Sequence, residues 1–370
     1  MKDENLINLA IHTAEKAQIL KQVLGEKGIE VFLVNVEDEE TKRSEGLAVR
    51  VKQSDLSHAI SVIESSHLFR YDDERTLKID DGRKRVLVAV DFSDYSLKAC
   101  QAAFIAAQQM NAKVKILYVY RLHFPITFPF AEEEENDDLL SVARRRMLEF
   151  CYEIDRKIEA KEFPSVNYSY SLREGVVAEE IESFIEEYKP FLLVLGRKGL
   201  SNSKANVIGT VTADIIEMTD VPVMVVPEDY KYKDADDIKH IAFLTNFQKR
   251  DLVSFDRLVD VLRPYPSVRI TLLHVNAISK EGEKWKESEL ASMKAYFNEK
   301  YPELNVSYKL IDSSDMIGSI ESFVIDEGVN IVSMNTRRRN LFGRIFLPSM
   351  SRKVMSTTKA KDVIVVVFRG

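Results

Sequence analysis

The chain has 370 residues, 45% apolar and 30% charged, with a formal net charge of −7. That length exceeds one ordinary core and suggests two or three soluble domains, and the acidic balance disfavours a general binder of nucleic acid or anionic membrane. No window approaches the roughly 20 apolar residues of a membrane span, the start MKDENLINLA lacks the runs of a signal peptide, and two cysteines, Cys100 and Cys151, are too few for a disulfide scaffold or a cysteine metal cage, so a cytoplasmic location is expected.

Residues 1 to 75 read as a small α+β module in the order βαββα. The strands are LINLAIHT, IEVFLVNV and GLAVRVK. The first helix is carried by Ile19, Leu20, Val23 and Leu24 on one face, with Gly28 as its stop. Ser54 is placed as the N-cap of a second helix. The string suits a ferredoxin-like sandwich and resembles the signal-transducing modules of bacterial proteins that carry this order. A polar linker, YDDERTLKIDDGRK, follows.

Residues 83 to 230 alternate strand and helix strictly. RVLVAV, KVKILYVY, NYSYSL, FLLVLG and VPVMVV are the strands, with helices between them. Apolar strands separated by helices imply a parallel sheet covered on both faces, with ligands at the carboxyl ends of the strands. Residues 236 to 370 repeat the pattern with HIAFLT, RITLLHV, NVSYKLI, NIVSMN and DVIVVVF. Pro222 marks VPVMVV as an edge strand, and an apolar edge invites pairing. VPVMVV and DVIVVVF are therefore expected to meet, joining the two parts as an internal pseudo-dimer.

The two parts align as copies. Ile181 to Thr210 lies on Ile320 to Ser349 without a gap, at an offset of 139 (320 less 181). In the first copy FLLVLG runs into Gly196-Arg197-Lys198-Gly199, nine residues follow, and Gly209-Thr210 opens a helix. Strand, glycine loop and helix start form a phosphate-binding arrangement. The matching residues of the second copy are Asn335, Arg338, Pro348 and Ser349, which cannot hold an anion in the same way, so no nucleotide is expected there.

VLVAVDFSDYS, LYVY and the G-x2-G-x9-G-[ST] spacing together resemble the ATP-binding branch of the universal stress protein family. The resemblance covers both copies and is stronger in the first. It implies two tandem open parallel five-stranded sheets of order 3-2-1-4-5, with helices on both faces, and dimers formed through the last strand. It also implies a site. Asp91, with Val90 and Ser93 beside it, would take the adenine amino group, and the backbone at Val119 would line the base. Gly196 would meet the ribose, and Gly199, Gly209, Thr210, Val211 and Thr212 would surround the phosphates. Arg197, Lys198 and Lys204 would offset charge, with or without a magnesium ion carried by the nucleotide.

The chemistry of these residues agrees. Glycines leave no Cβ in the path of a phosphate, and a helix start offers main-chain N–H groups. The same glycines also suit a bare turn, and spacing alone does not separate the two readings. In the second copy Asn246 replaces Asp91, keeping an acceptor. Its loop, with Arg337, Arg338, Arg339, Arg344, Arg352 and Lys353, reads as a solvated charge run or as a site for another anion or a partner's acidic surface. The acidic run from Glu132 to Asp138 reads as a solvated loop or a flap. His274, at the position of Tyr118, reads as packing beside the sheet, and Trp285 as a packing anchor. The remaining histidines lack metal-ligand spacing.

No nucleophile is paired with a base and no GxxxxGK[ST] loop is present, so at most slow ATP hydrolysis is expected. The expected function is an adenine-nucleotide-responsive stress or signalling protein, with an unidentified protein partner and the option of homodimers. The alternative is a nucleotide-free scaffold that uses edge strands and the basic loop for protein contacts. An enzyme of the wider adenine nucleotide alpha-hydrolase-like group is a third reading.

Overall fold

The structure, a computed structural model, describes residues 6–12, 14–37, 44–56, 58–59, 62, 83–120, 139–197, 209–227, 229–262, 267–277, 287–336 and 362–369. Lys198, Gly199, Lys204, the acidic run, Trp285, the arginine-rich loop, Pro348, Ser349 and most of the helix expected after Ser54 lie outside the described residues.

In the N-terminal module, β1 (Leu6–His12), β2 (Val31–Glu37) and β3 (Ser44–Lys52) form an antiparallel sheet in the order β1-β3-β2. Helix α1 (Ala14–Glu26) buries Ala17, Leu20 and Leu24 against Val31, Val49 and Val51. It stops because Gly28 takes φ 78°. The turn lets Gly28 N–H reach the Gly25 carbonyl at 3.0 Å and Ile29 N–H the Leu24 carbonyl at 3.0 Å, satisfying the helix's last acceptors. Ser54 is not an N-cap, although helical residues do follow it from Leu56. It lies inside a short 3₁₀ turn, Gln53–Asp55, whose N-cap is Lys52, and its hydroxyl donates to Asp55 Oδ1 at 3.2 Å.

The rest of the described chain builds one ten-stranded sheet. Its first half contains β4 (Arg85–Val90), α2 (Asp94–Met110), β5 (Lys113–Tyr120), α3 (Leu139–Glu159), β6 (Tyr168–Glu174), α4 (Val177–Tyr188), β7 (Leu192–Gly196), α5 (Thr210–Met218) and β8 (Val223–Val226). The second contains β9 (His240–Leu244), α6 (Lys249–Leu262), β10 (Arg269–Ala277), α7 (Glu287–Lys300), β11 (Asn305–Ser313), α8 (Met316–Asp326), β12 (Ile331–Thr336) and β13 (Ile364–Arg369).

The strand order is β11-β10-β9-β12-β13-β8-β7-β4-β5-β6. Every neighbouring pair is parallel except β13 and β8, which run antiparallel with Val365, Val366 and Val367 opposite Val225, Met224 and Val223. Helices α2, α3, α6 and α7 pack on one face, and α4, α5 and α8 on the other. Val86, Leu87 and Val88 are all fully buried, as a strand covered on both faces requires. Each such side chain contributes roughly 1.5–3 kcal/mol of apolar burial.

This topology fixes where a ligand can enter. From β4 the chain proceeds to β5 and β6 on one side, then crosses to β7 and β8 on the other. The carboxyl ends of β4 and β7 therefore flank a switch point, the position where open α/β sheets hold ligands in a crevice. Ala89 pairs with Leu195, so Val90 and Gly196 are level. On the other side β5 continues past the end of β4, since Val90 faces Tyr118 and Val119 lies one residue beyond.

Candidate functional site

One wall of the crevice is the turn after β4. Asp91 Oδ1 accepts from Ser93 N–H at 3.1 Å, from the Ser93 hydroxyl at 2.6 Å and from the Ser96 hydroxyl at 2.7 Å. Ser96 Oγ also accepts from Asp91 N–H at 2.9 Å, and Ser93 caps α2 by accepting from Ser96 N–H. Between them Phe92 is held at φ 63°, a costly conformation for a bulky residue. Ring contacts offset that cost, with Tyr118 at 4.3 Å and Phe150 at 5.5 Å between centroids. Asp91 thus shapes its own turn with one carboxylate oxygen. Val90 and Val119 are buried beside it, their main chains level with the strand ends.

The other wall joins β7 to α5. Arg197 N–H donates to the Val226 carbonyl at 2.8 Å, and Gly209 N–H donates to the Arg197 carbonyl at 2.9 Å, which brings the two ends of the glycine loop together. The Thr212 hydroxyl donates to the Gly196 carbonyl at 2.9 Å, fastening the first turn of α5 to the end of β7. The first bond inside the helix is Ala213 N–H to the Gly209 carbonyl at 3.0 Å. Gly209, at the N-cap, provides no side-chain cap. The N–H groups of Thr210, Val211 and Thr212 therefore have no partner within the helix, at the positive end of its dipole.

Of the residues selected from sequence, Val90, Asp91, Ser93, Val119, Gly196, Arg197, Gly209, Thr210, Val211 and Thr212 fall on these two walls. Thr210 is exposed at the helix start, whereas Thr212 is buried and its hydroxyl already committed. Among the described residues, no group of three or more His, Cys, Asp or Glu could hold a metal.

The second half closes the equivalent space with side chains. Asn246 lies 155 residues after Asp91 (246 less 91), and Asp251 lies 155 after Ser96. The carboxylate has changed places. Asp251 Oδ2 accepts from Asn246 N–H at 2.9 Å, Gln248 N–H at 3.1 Å and the Thr245 hydroxyl at 3.0 Å. Its Oδ1 accepts from Asn335 Nδ2 at 3.3 Å. Asn335 takes the place of Gly196, so an amide and a carboxylate bridge β12 and α6 where the first half has a bare glycine. Phe247 repeats the strained turn with φ 58° and lies 5.3 Å from the His274 ring. His274 is buried beside the sheet, with Nδ1 2.8 Å from the Thr245 carbonyl, and burial holds its pKa below the ordinary histidine value.

Sequence reasoning passed over Ser96, Asp251 and the strained phenylalanines. The signal was present, since aligning VDFSDYS with TNFQKRD exposes an Asp–Ser pair exchanged for an Asn–Asp pair at the same spacing. Cys100 and Cys151 are both buried in the helical layer of the first half, and burial, reinforced by Cys151, pushes the Cys100 thiol up.

Known proteins share this architecture. The universal stress protein YxiE of Bacillus subtilis is 27% identical over 147 residues, which is 38% of this chain and 97% of that protein. A universal stress protein of Methanocaldococcus jannaschii is 28% identical over 148 residues, 40% of this chain and 84% of its own. The crystal structure of a universal stress protein from Archaeoglobus fulgidus, 17% identical, superposes with a TM-score of 0.59 over 77% of this chain and 96% of that one, a likeness of fold. Residues 82–227 match the universal stress protein family.

Proposed function

We propose that the protein is a tandem pair of universal stress protein domains that binds ATP, or another adenine nucleotide, in its first half and acts as a nucleotide-responsive signalling or stress-resistance protein in the cytoplasm. The observation carrying this reading is the mouth of α5. Three main-chain donors there lack partners within the helix, at a switch point flanked by Asp91. Gly196 and Gly209 would let phosphates approach the backbone, Thr210 would add a hydroxyl and Arg197 would offset charge, with Gly199 and Val211 in the same loop-to-helix segment. The part-buried Asp91 and the backbone at Val119 would take the base, with Val90 and Ser93 supporting them.

Micromolar affinity needs about 8 kcal/mol. A helix dipole supplies only about 0.3–2 kcal/mol and each charge-assisted bond roughly 1.5–3, so several amides must act together with burial of the base. The equal strand order of the two halves supports duplication, and the β8–β13 pairing supports an internal pseudo-dimer. The Asn335–Asp251 bridge supports a second half that binds no nucleotide. The N-terminal module, ferredoxin-like in this reading, would pass the nucleotide state to a partner.

Calorimetry with ATP, AMP and cyclic nucleotides on the full chain tests the proposal, with Gly199→Val/Gly209→Val as the pocket control. Saturable heat with the wild type that vanishes in the control is expected. Equal heats for both proteins would remove the assigned pocket, and no heat with the wild type would favour the nucleotide-free scaffold.

A further inference from the structure

The far end of α5 is held by the other half of the molecule. Arg369, the last residue of β13, is 5% exposed. Its Nη1 donates to the Thr219 carbonyl at 3.0 Å, its Nη2 donates to the Glu217 carbonyl, and its Nε faces Asp220 Oδ1 at 3.6 Å. Arg257 on α6 joins the same cluster, donating to the Asp220 carbonyl at 3.3 Å and to the Arg369 carbonyl at 3.1 Å. The acceptors are carbonyls at the negative end of the α5 dipole, where a buried guanidinium is best accommodated.

The gripping residue is not repeated. Leu193 pairs with Val223 and Val332 with Val365, and Leu193 and Val332 are 139 apart, so the first-half counterpart of Arg369 is Pro227. Proline has no cation to offer in return. The nine-residue α5 thus has its N-terminus fastened to the candidate crevice through Thr212 and Gly209, and its C-terminus fastened to the second half through Arg369. Val226, on the strand that pairs with β13, anchors Arg197 at the loop's start.

We infer that Arg369, supported by Arg257, is a positioning residue that couples the anion-binding mouth of α5 to the docking of the second half, so that nucleotide binding and the seam strengthen each other. The inference rests on the nucleotide reading proposed above. A ligand that fixes the first turn of a short helix fixes its last turn too, and coupling between sites is reciprocal.

The test uses the full chain, with ATP calorimetry and hydrogen exchange by mass spectrometry on wild type, Arg369→Met and Arg369→Lys. The methionine variant is expected to bind ATP about tenfold more weakly and the lysine variant to fall between, within the usual range of coupling energies. ATP is expected to slow exchange in the wild type at residues 217–220 and 364–369. In Arg369→Met the slowing at 364–369 disappears while that at 210–213 persists, a separation that general destabilisation would not produce. Unchanged affinity in Arg369→Met, or wild-type protection confined to the first turn of α5, overturns the coupling alone. No heat with the wild type instead removes the nucleotide reading, and this inference with it. If Arg369→Met does not fold, Arg257→Met decides on the same two readouts, with equal affinity and unaltered protection counting against the coupling.

Discussion

The exchange of carboxylates between the two halves predicts a double dissociation between stability and binding. Asp251 is 3% exposed and accepts from Asn246 N–H, Gln248 N–H, the Thr245 hydroxyl and Asn335 Nδ2. Asp251→Ala removes the acceptor of two part-buried main-chain amides, those of Asn246 and Gln248, which cannot rotate away. At roughly 1–3 kcal/mol for each unsatisfied buried group, and with part of the Thr245 and Asn335 bonding lost as well, the expected cost is about 3–5 kcal/mol. Asp91 is part-buried, and the donors it accepts from include two serine hydroxyls that can turn to water. Its own N–H keeps Ser96 Oγ as a partner. Asp91→Ala should therefore cost about 1–2 kcal/mol while abolishing ATP heat, whereas Asp251→Ala should leave that heat in place. Urea unfolding followed by circular dichroism and by the single tryptophan, Trp285 in the second half, measures the stability arm. A cost below about 1 kcal/mol for Asp251→Ala, or a larger cost for Asp91→Ala, would refute the account of which carboxylate the fold depends on.

Three further outcomes follow from named contacts. Thr212→Val keeps the shape of the side chain but removes the bond to the Gly196 carbonyl; melting should fall by about 2–4 °C for about 1 kcal/mol lost, and ATP affinity should drop severalfold, so an unchanged melting curve would count against that fastening. Burial holds the pKa of His240 below its ordinary 6.5, and His274 is shifted the same way; a depressed pKa means that the unfolded chain takes up the proton first, so the stability these residues provide is complete above pH 6.5 and is lost as pH falls towards the folded values. Urea midpoints between pH 7 and 5 should decline, and His240→Gln should flatten the slope. Val366→Asp places an unpaired charge opposite Met224 in the seam; both side chains are buried, so a loss of more than about 3 kcal/mol is expected, visible as two unfolding transitions replacing one.

Much of the fold was legible because parallel sheets leave a strong record. Continuous apolar strands such as RVLVAV alternate with helices at close spacing, and no other arrangement buries both faces of them. The site was legible only in part. Glycine at 196 and 209 followed from its own chemistry, since a missing Cβ matters wherever a backbone must be approached. That Thr212 would turn inward to the Gly196 carbonyl while Thr210 stays exposed depends on helix phase at a boundary that sequence places only within a residue or two. Ser54 shows the same limit, because a polar residue before an apolar run also fits inside a 3₁₀ turn. Arg369 was illegible for a different reason. Its acceptors are main-chain carbonyls 150 and 152 residues away in the chain, and carbonyls have no sequence signature.

The two halves also separate what the fold needs from what a ligand needs. Both require a carboxylate to hold the turn after their first strand, because both force a phenylalanine into the left-handed region there and must satisfy the amide beyond it. In the second half that requirement is met from α6 by Asp251, and the residue at the strand end is free to become the exposed Asn246. In the first half it is met from the strand end itself, by Asp91, the residue that follows β4. The turn alone does not fix which position carries the acid, since the second half closes it from α6. In the nucleotide reading proposed above, an acid at Asp91 near the end of β7, in place of the Asn246 and Asn335 pattern, is what would serve the ligand.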